Sequence, residues 1–230
     1  QPAASTIISD TTPTISGNTM TVTNTHWRTP CRAIQVLASV LLLAGCTGFS
    51  APQVTSENIY VLETLRVTKP ANVKRNLVLA ISEPRARPGF DTSRMVYVQQ
   101  LHELNYFVAS RWADTPAHML EPLLVQAMEQ TGGFRAVVQT PGAVPADVRL
   151  DTELIRLQHD FVTRPSRVLL SLRAQLIDVR GQRVLAVKQF DESENAASDN
   201  AYGGVTTANR VLQGMLDQLA DFCVNASVIQ

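Results

Sequence analysis

One apolar run constrains what this chain can fold into more than any other stretch of its sequence. Residues 33–44 contain only two polar side chains, Gln35 and Ser39, and a glycine and a cysteine follow at once. A helix needs about 20 apolar residues to cross about 30 Å of hydrocarbon, so this run is too short to span a membrane. Two alternatives remain, a buried helix of the fold or an export signal that is removed.

The residues on either side of the run favour the export signal. Arg28 and Arg32 precede it and small residues follow it, which is the arrangement of a signal peptide. The stretch "LAGC" at 43–46 resembles the lipobox of bacterial lipoproteins. The resemblance implies cleavage before Cys46, a diacylglycerol on its thiol and an acyl group on its new amino terminus.

These signals divide the chain into four parts. We expect residues 1–19 to be a disordered leader, or sequence upstream of a true start at Met20. Residues 20–45 are then the signal peptide, 46–58 a lipidated tether and 59–226 the folded domain. The length of that last part is typical of one domain.

Composition excludes some classes of partner. The chain carries 20 basic and 20 acidic residues, so its charge gives no basis for binding nucleic acid. Of the three cysteines, Cys31 leaves with the signal and Cys46 takes lipid, so Cys223 has no disulfide partner in the mature chain. We predict that Cys223 packs as a small apolar side chain on a helix.

Hydrophobic spacing predicts the fold class. Strands are predicted over 59–67, 76–84, 134–140 and 147–161, with hairpins over 95–114 and 167–190, and helices over 116–130 and from near Gly204. The acidic stretch 191–200 is predicted to be a solvated loop. This order has too few crossover helices for a parallel sheet. We therefore predict a single α+β domain, in which two main helices pack on one face of a mixed, mostly antiparallel sheet.

The search for catalytic chemistry is negative. The histidines of the mature chain, His102, His118 and His159, have no metal-ligand spacing, and no nucleophile elbow or phosphate loop occurs. The carboxylates of Asp147, Asp151 and Glu153 are expected on one exposed strand face. We predict no catalytic residue, no metal, no cofactor, and no pocket where histidine, serine and carboxylate side chains converge.

Two local features leave alternatives open. Gly203 and Gly204 are either a flexible lead into the last helix or an anion site built from backbone N–H groups. Trp112, the only tryptophan of the mature chain, either closes one end of the core or contacts a partner. In the second case Tyr106, Arg111 and Trp112 form a partner-binding surface, since these residue types are enriched at interface hot spots.

Several stretches, taken in order, resemble the PqiC-like family of ABC-type transport auxiliary lipoproteins. They are the lipobox, Tyr60 to Leu62, the loop Pro88 to Tyr97, the stretch Tyr106 to Leu120, the strand 147–154 and the closing amphipathic helix. The resemblance implies a non-catalytic periplasmic lipoprotein. Such proteins work beside an ABC permease, its ATPase and an MCE-domain protein that move lipids between the inner and outer membranes.

Location and rival functions complete the expectations. Thr47, rather than aspartate, follows Cys46, which favours the outer membrane by the sorting rule of well-studied Gram-negative bacteria, with the inner membrane as the alternative. The rival functions are a carrier of lipids or other hydrophobic ligands, with a pocket between sheet and helices, and an envelope hydrolase.

Overall fold

The computed structural model describes residues 56–64, 69–142 and 144–227, so the predicted signal peptide and Cys46 lie outside the described residues. Within these ranges the chain forms nine strands and two helices. The strands are β1 (Asn58–Tyr60), β2 (Arg75–Ile81), β3 (Arg85–Ala86), β4 (Arg94–Val98), β5 (Asn105–Trp112), β6 (Phe134–Gln139), β7 (Val148–Asp160), β8 (Arg167–Asp178) and β9 (Arg183–Asn195). The helices are α1 (Pro116–Thr131) and α2 (Ala201–Ala226).

Strand β7 is the centre of a single mixed sheet. Along one edge it pairs antiparallel with β8, from Val148 opposite Asp178 to Asp160 opposite Arg167. Along its other edge it pairs in turn with the parallel strands β2, β3 and β4. Beyond these neighbours, β6 extends the sheet from β2, β5 and β1 extend it from β4, and β9 extends it from β8.

The predicted fold class is confirmed. Both helices cover the face of the sheet that holds Leu150 and Leu154 of β7 and Leu172 of β8, all of which are almost fully buried. The opposite face is polar and open, because alternation along β7 directs Arg149 and Asp151 to it. An antiparallel hairpin can keep one face in water, as these strands do.

Helix α1 begins and ends where its sequence predicts. The Thr115 hydroxyl accepts a hydrogen bond from the N–H of His118, and Pro116 occupies the first turn, where no N–H is needed. Gly132 ends the helix in the left-handed conformation, at φ 59°. Pro122 lies inside the helix, after its first turn.

Two predicted boundaries differ from the structure. Strand β1 has three residues, and the end of its predicted range, 65–67, lies outside the described residues. Strand β9 continues to Asn195, so residues 191–195 are not the loop that their charge predicted. They lie in an edge strand, where side chains stay in water while the backbone pairs with β8.

The predicted hairpin between β8 and β9 is confirmed. The Gly181 N–H donates to Oδ1 of Asp178 at 2.9 Å, and this hydrogen bond is the main cause of the lowered pKa of Asp178. A Cβ at position 181 would lie 2.5 Å from the Asp178 carboxylate, which explains the glycine. The left-handed residue of the turn is Gln182, at φ 50°.

Replacing Leu150 by alanine tests whether β7 is the centre of the core. Since Leu150 is fully buried, we expect L150A to lower the free energy of unfolding by about 2–5 kcal/mol. The control is V108A, at a side chain that is 93% exposed, which should change that free energy by less than about 0.5 kcal/mol. Urea unfolding followed by circular dichroism measures both, and equal effects would contradict the assignment.

Candidate functional site

A chain of three polar side chains, two of them buried, lies where β7, β8 and α2 meet. Nε2 of His159, near the end of β7, is 2.9 Å from Oγ of Ser166, which precedes β8. The same Oγ donates a hydrogen bond to Oδ1 of Asp199, two residues before α2. We call His159, Ser166 and Asp199 the polar trio. It is the one place in the described residues where a histidine, a serine and a carboxylate are joined.

The prediction concerned convergence in a pocket, and of the polar trio only His159 lines the cavity beside α2, so the trio is a contact that the prediction did not consider. Periodicity placed His159 on β7, but it could not show that Ser166 and Asp199 lie beside it, since they belong to loops 7 and 40 residues further along the chain. The signal that sequence reasoning missed is alternation, because His159 is on the inward face of β7, where a polar side chain needs a partner.

The hydrogen bonds determine where the protons of the polar trio lie. Because the Ser166 hydroxyl gives its proton to Asp199, its oxygen accepts, and Nε2 of His159 must carry a hydrogen. Nδ1 of His159 is buried and has no hydrogen-bond partner among the described residues. Burial lowers the pKa of His159 against the opposing charges of Asp199 and Asp160, so the neutral ring with its proton on Nε2 fits this site.

The arrangement of the polar trio is wrong for nucleophilic catalysis. In a serine hydrolase the histidine lies between the acid and the nucleophile and takes the hydroxyl proton. Here the serine is in the middle, and its proton points to Asp199 rather than to His159. His159 is 4% exposed and Ser166 2% exposed, so a substrate has no access to either side chain. The polar trio connects structural elements.

Aromatic rings complete the surroundings of His159. The ring of Phe161 stacks on it with a centroid distance of 4.1 Å, and Phe107 lies at 6.4 Å. Tyr97 packs against both phenylalanines, at 4.8 Å from Phe107 and 6.0 Å from Phe161. This apolar environment disfavours the charged imidazolium and holds the ring in one orientation.

Gly203 and Gly204 form neither a flexible lead into α2 nor an anion site, because their backbone N–H groups both donate to Asn200. Helix α2 begins at Ala201, so both glycines lie in its first turn, and the Asn200 side chain caps the Gly203 N–H at 2.9 Å. A Cβ at Gly204 would lie 2.8 Å from Nδ1 of His159. The glycine therefore allows α2 to pack directly on the imidazole ring, and it is buried rather than flexible.

The residues of the predicted partner surface are separated by the structure. Trp112 is 4% exposed and belongs to the core, which agrees with the structural alternative. Arg111 lies on the surface, where its Nε is 2.8 Å from the Glu57 carboxylate. Tyr106 is half-buried, with the guanidinium of Arg94 3.7 Å above its ring. A partner that binds here would contact Arg111 and Tyr106 but not Trp112.

The three carboxylates near the start of β7 do not share one exposed face. Asp147 is buried, and its Oδ2 accepts a hydrogen bond from the Val78 N–H at 2.9 Å, so this prediction was wrong for Asp147. It was wrong because Asp147 precedes the strand and is outside its alternation. Asp151 and Glu153 do lie on the open face, where Arg149 and Arg87 pair with them.

The remaining candidates give no reactive centre. Cys223 is a free thiol, fully buried on α2, and burial raises its pKa, so the prediction of an inert packed cysteine is confirmed. Within residues 56–64, 69–142 and 144–227, no group of histidine, cysteine and acidic side chains has the geometry to hold a metal ion. None of the helices in these ranges is long and apolar enough to cross a bilayer.

Two cavities among the described residues bear on the carrier hypothesis. The cavity between α2 and the sheet, beside His159, Trp112 and Gly204, has a volume of about 20 Å³, which is room for about one water molecule. A larger cleft, of about 660 Å³, is open to solvent and is lined by polar groups such as Ser82, Arg85 and Asp151. Neither suits an acyl chain, so the structure gives the carrier hypothesis no support.

The fold and site define an α+β domain with a packed core and a polar trio whose histidine and serine are buried. Against known proteins, the model of a family described as the ABC-type transport auxiliary lipoprotein component matches residues 60–220. The match covers well over half of the chain, and the chain belongs to this family. No curated protein matches it.

Solved structures share the fold. A protein from Xanthomonas campestris, of family model DUF330, is 23% identical with a TM-score of 0.67, over 74% of this chain and 96% of that chain. An uncharacterised protein is 13% identical with a TM-score of 0.57, over 72% of this chain and 97% of that chain. At these identities the likeness shows the fold alone.

The polar trio predicts a pH dependence of stability. The pKa of His159 is lower in the folded than in the unfolded protein, so protonation favours unfolding. Stability should be fully present above the unfolded value of 6.5 and should fall as the pH is lowered below it. Replacing His159 by glutamine should remove this part of the slope, as measured by urea unfolding between pH 8 and pH 5.

His118 provides the control for that experiment. It is exposed, and although desolvation lowers its pKa, the Asp114 and Glu83 carboxylates together raise it above 6.5. His118 therefore stabilises the fold at low pH, and this contribution is lost as the pH rises through its folded pKa. The variant H118Q should keep the loss of stability below pH 6.5 that His159 causes. If H159Q kept it as well, the assignment to His159 would be wrong.

Two glycines of α2 give opposite predictions for the same substitution. Alanine is a better helix former than glycine by up to about 1 kcal/mol, and a Cβ at Gly214 meets nothing within 4 Å, so G214A should stabilise the protein. At Gly204 the new Cβ meets the buried imidazole, so G204A should destabilise it by about 1–3 kcal/mol. Thermal unfolding of both variants measures the signs, and equal signs would refute the packing of α2 on His159.

Proposed function

We propose that this protein is a lipid-anchored, non-enzymatic accessory subunit of an ABC transporter that moves lipids between the two membranes of the cell envelope, together with an MCE-domain protein. The observation that carries the proposal is the family match over residues 60–220. The lipobox-like stretch 43–46 supports the lipid anchor, and residues 47–57, which separate it from β1, can serve as the tether.

Cys46 is the residue to which we assign the anchor. Burial of each CH₂ of an acyl chain contributes about 0.8 kcal/mol, so one chain binds marginally, whereas the several chains of a bacterial lipoprotein hold almost irreversibly. We assign the protein to the periplasmic side of the outer membrane, because threonine rather than aspartate follows Cys46. A protein held this way needs no membrane-spanning helix.

The structure supports a role in binding rather than in chemistry. His159 and Ser166 are buried, and the cavity that the described residues leave between α2 and the sheet has room for about one water molecule. An accessory subunit without catalytic activity acts through contacts that its surface makes with a partner. We propose that Arg111 and Tyr106 contact the partner, since arginine and tyrosine are enriched in binding hot spots.

Lipidation is tested by replacing Cys46 with alanine in the full chain. We expect C46A to lose incorporation of radiolabelled palmitate and to leave the membrane fraction, because no acyl chain then holds it. The control is C223A, since Cys223 is buried and no lipid can be attached to it. Labelling that persists in C46A would place the lipid on another residue and contradict the assignment to Cys46.

The partner is tested by purifying the tagged protein from cross-linked native membranes. We expect an MCE-domain protein with its permease and ATPase to co-purify, identified by mass spectrometry. R111E should reduce their recovery several-fold, because it reverses a surface charge, while R183E at the far end of the sheet should not. Normal recovery with R111E would exclude this surface, and recovery of unrelated proteins alone would contradict the proposed function.

A further inference from the structure

Two turns lie side by side at one end of the sheet. The β4–β5 turn covers residues 99–104 and the β7–β8 turn covers residues 161–166. They are neighbours because Val98 pairs with Asp160, and the Phe161 N–H donates to the Val98 carbonyl oxygen at 2.8 Å. We call this end of the molecule, including the adjoining start of β5, the tip.

The tip carries four partly or largely exposed apolar side chains. Leu101 is 72% exposed and Val108 93%, and Leu104 and Val162 are each about two-fifths exposed. Val108 stands out because the pairing of β4 with β5 slips between Arg94 and Val96, which makes β5 bulge here. Exposed apolar groups that cluster at one end of a domain mark an interaction site.

The start of the domain points to the same end. Strand β1 runs parallel to β5, with Asn58 opposite Ser110, so the chain before β1 lies on the side from which β5 begins. The Asn58 side chain donates to the Ala109 carbonyl oxygen at 3.4 Å, which places the start of the domain beside the bulge of β5. The chain that precedes the fold therefore joins it at the tip side.

The length of that chain decides what lies opposite the tip. Ten residues separate Cys46 from Glu57. At about 3.3–3.6 Å per residue they span at most about 40 Å, which is similar to the size of the domain itself. An anchor on Cys46 therefore leaves the tip within reach of the bilayer.

We propose that the tip docks on the bilayer that holds the anchor, with Leu101, Leu104, Val108 and Val162 inserted at the boundary between headgroups and acyl chains. The proposal rests on the proposed lipid anchor at Cys46. Apolar side chains of peripheral proteins insert about 5–10 Å into this boundary. At the tip Glu103 and Asp160 balance Arg164 and Arg167, so binding depends on apolar contact more than on the charge of the lipids.

The consequence for the accessory subunit is a fixed orientation. A flexible tether alone would let the domain turn freely on its anchor. With the tip seated in the membrane, the sheet stands away from the bilayer, and its far end, at the β8–β9 turn, is the part that faces the periplasm.

The test uses the lipidated mature protein in vesicles of phosphatidylethanolamine, with and without phosphatidylglycerol. An environment-sensitive dye is attached at L101C and, as the matched control, at V184C, which is 51% exposed near the β8–β9 turn. Only the introduced cysteine reacts, since Cys223 is buried and Cys46 is acylated. We expect spin-labelled lipids to quench the dye several-fold more at position 101 than at 184, in both kinds of vesicle.

A second position guards against a local effect of the label. The dye at V162C, in the other turn, should be quenched as at L101C, and an added L101D substitution should reduce that quenching several-fold. Equal and weak quenching at 101, 162 and 184 would overturn the proposal. So would a dye at 101 that is shielded from aqueous iodide but not quenched by lipid labels, because a partner protein or a second copy would then cover the tip.

Mass spectrometry of the same sample separates this inference from the proposed function. Acylated Cys46 with an unquenched tip would leave the anchor intact and refute tip docking alone. An unmodified Cys46 would contradict the anchor itself, and with it the proposed function.

Discussion

Backbone pairing along both edges of β7 is the constraint on which the rest of this structure depends. On one side β8 pairs with it for its whole length, and on the other side β2, β3 and β4 share it in succession. The two halves of the sheet have no other strand in common, so one strand brings together the segments 75–98 and 167–195. The same strand supplies Leu150 and Leu154 to the core beneath the helices and, near its end, His159 to the first turn of α2.

The polar trio joins the loop before α2 to the end of β7. His159, Ser166 and Asp199 belong to three different segments, and their hydrogen bonds hold the loop before α2 against the β7–β8 turn. Gly204 allows the helix to approach the imidazole, and Phe161 covers the ring on another side. Buried polar groups that are hydrogen-bonded in this way favour one arrangement of the elements around them. A His–Ser–Asp set in a bacterial envelope protein invites a hydrolase interpretation, and the order of its hydrogen bonds and its burial argue against that interpretation.

Sequence reasoning predicted the features that local physics decides. The stop of α1 at Gly132, the alternation of Val148, Leu150 and Leu154, and the turn at Gly181 each depend on a few neighbouring residues. The features it missed depend on residues that are distant in sequence. Glu192 and Glu194 look like loop residues until β8 is known to pair with them, and Gly204 looks flexible until His159 is placed beside it. Asp147 looks exposed from the sequence, because the sequence does not show that its carboxylate accepts a hydrogen bond from the Val78 N–H. Trp112 could be assigned to core or surface only once its burial was known.

A packed core in which His159 and Ser166 are buried fits the proposed role of an accessory lipoprotein that works by position and contact. The most direct measurement is hydrogen–deuterium exchange of the full chain in native membranes, with and without the proposed transporter. The account predicts that the transporter slows exchange in β1 and β5, around Arg111 and Tyr106, and leaves the amides around His159, Ser166 and Asp199 unchanged. Changes confined to the polar trio, with none in β1 or β5, would contradict it.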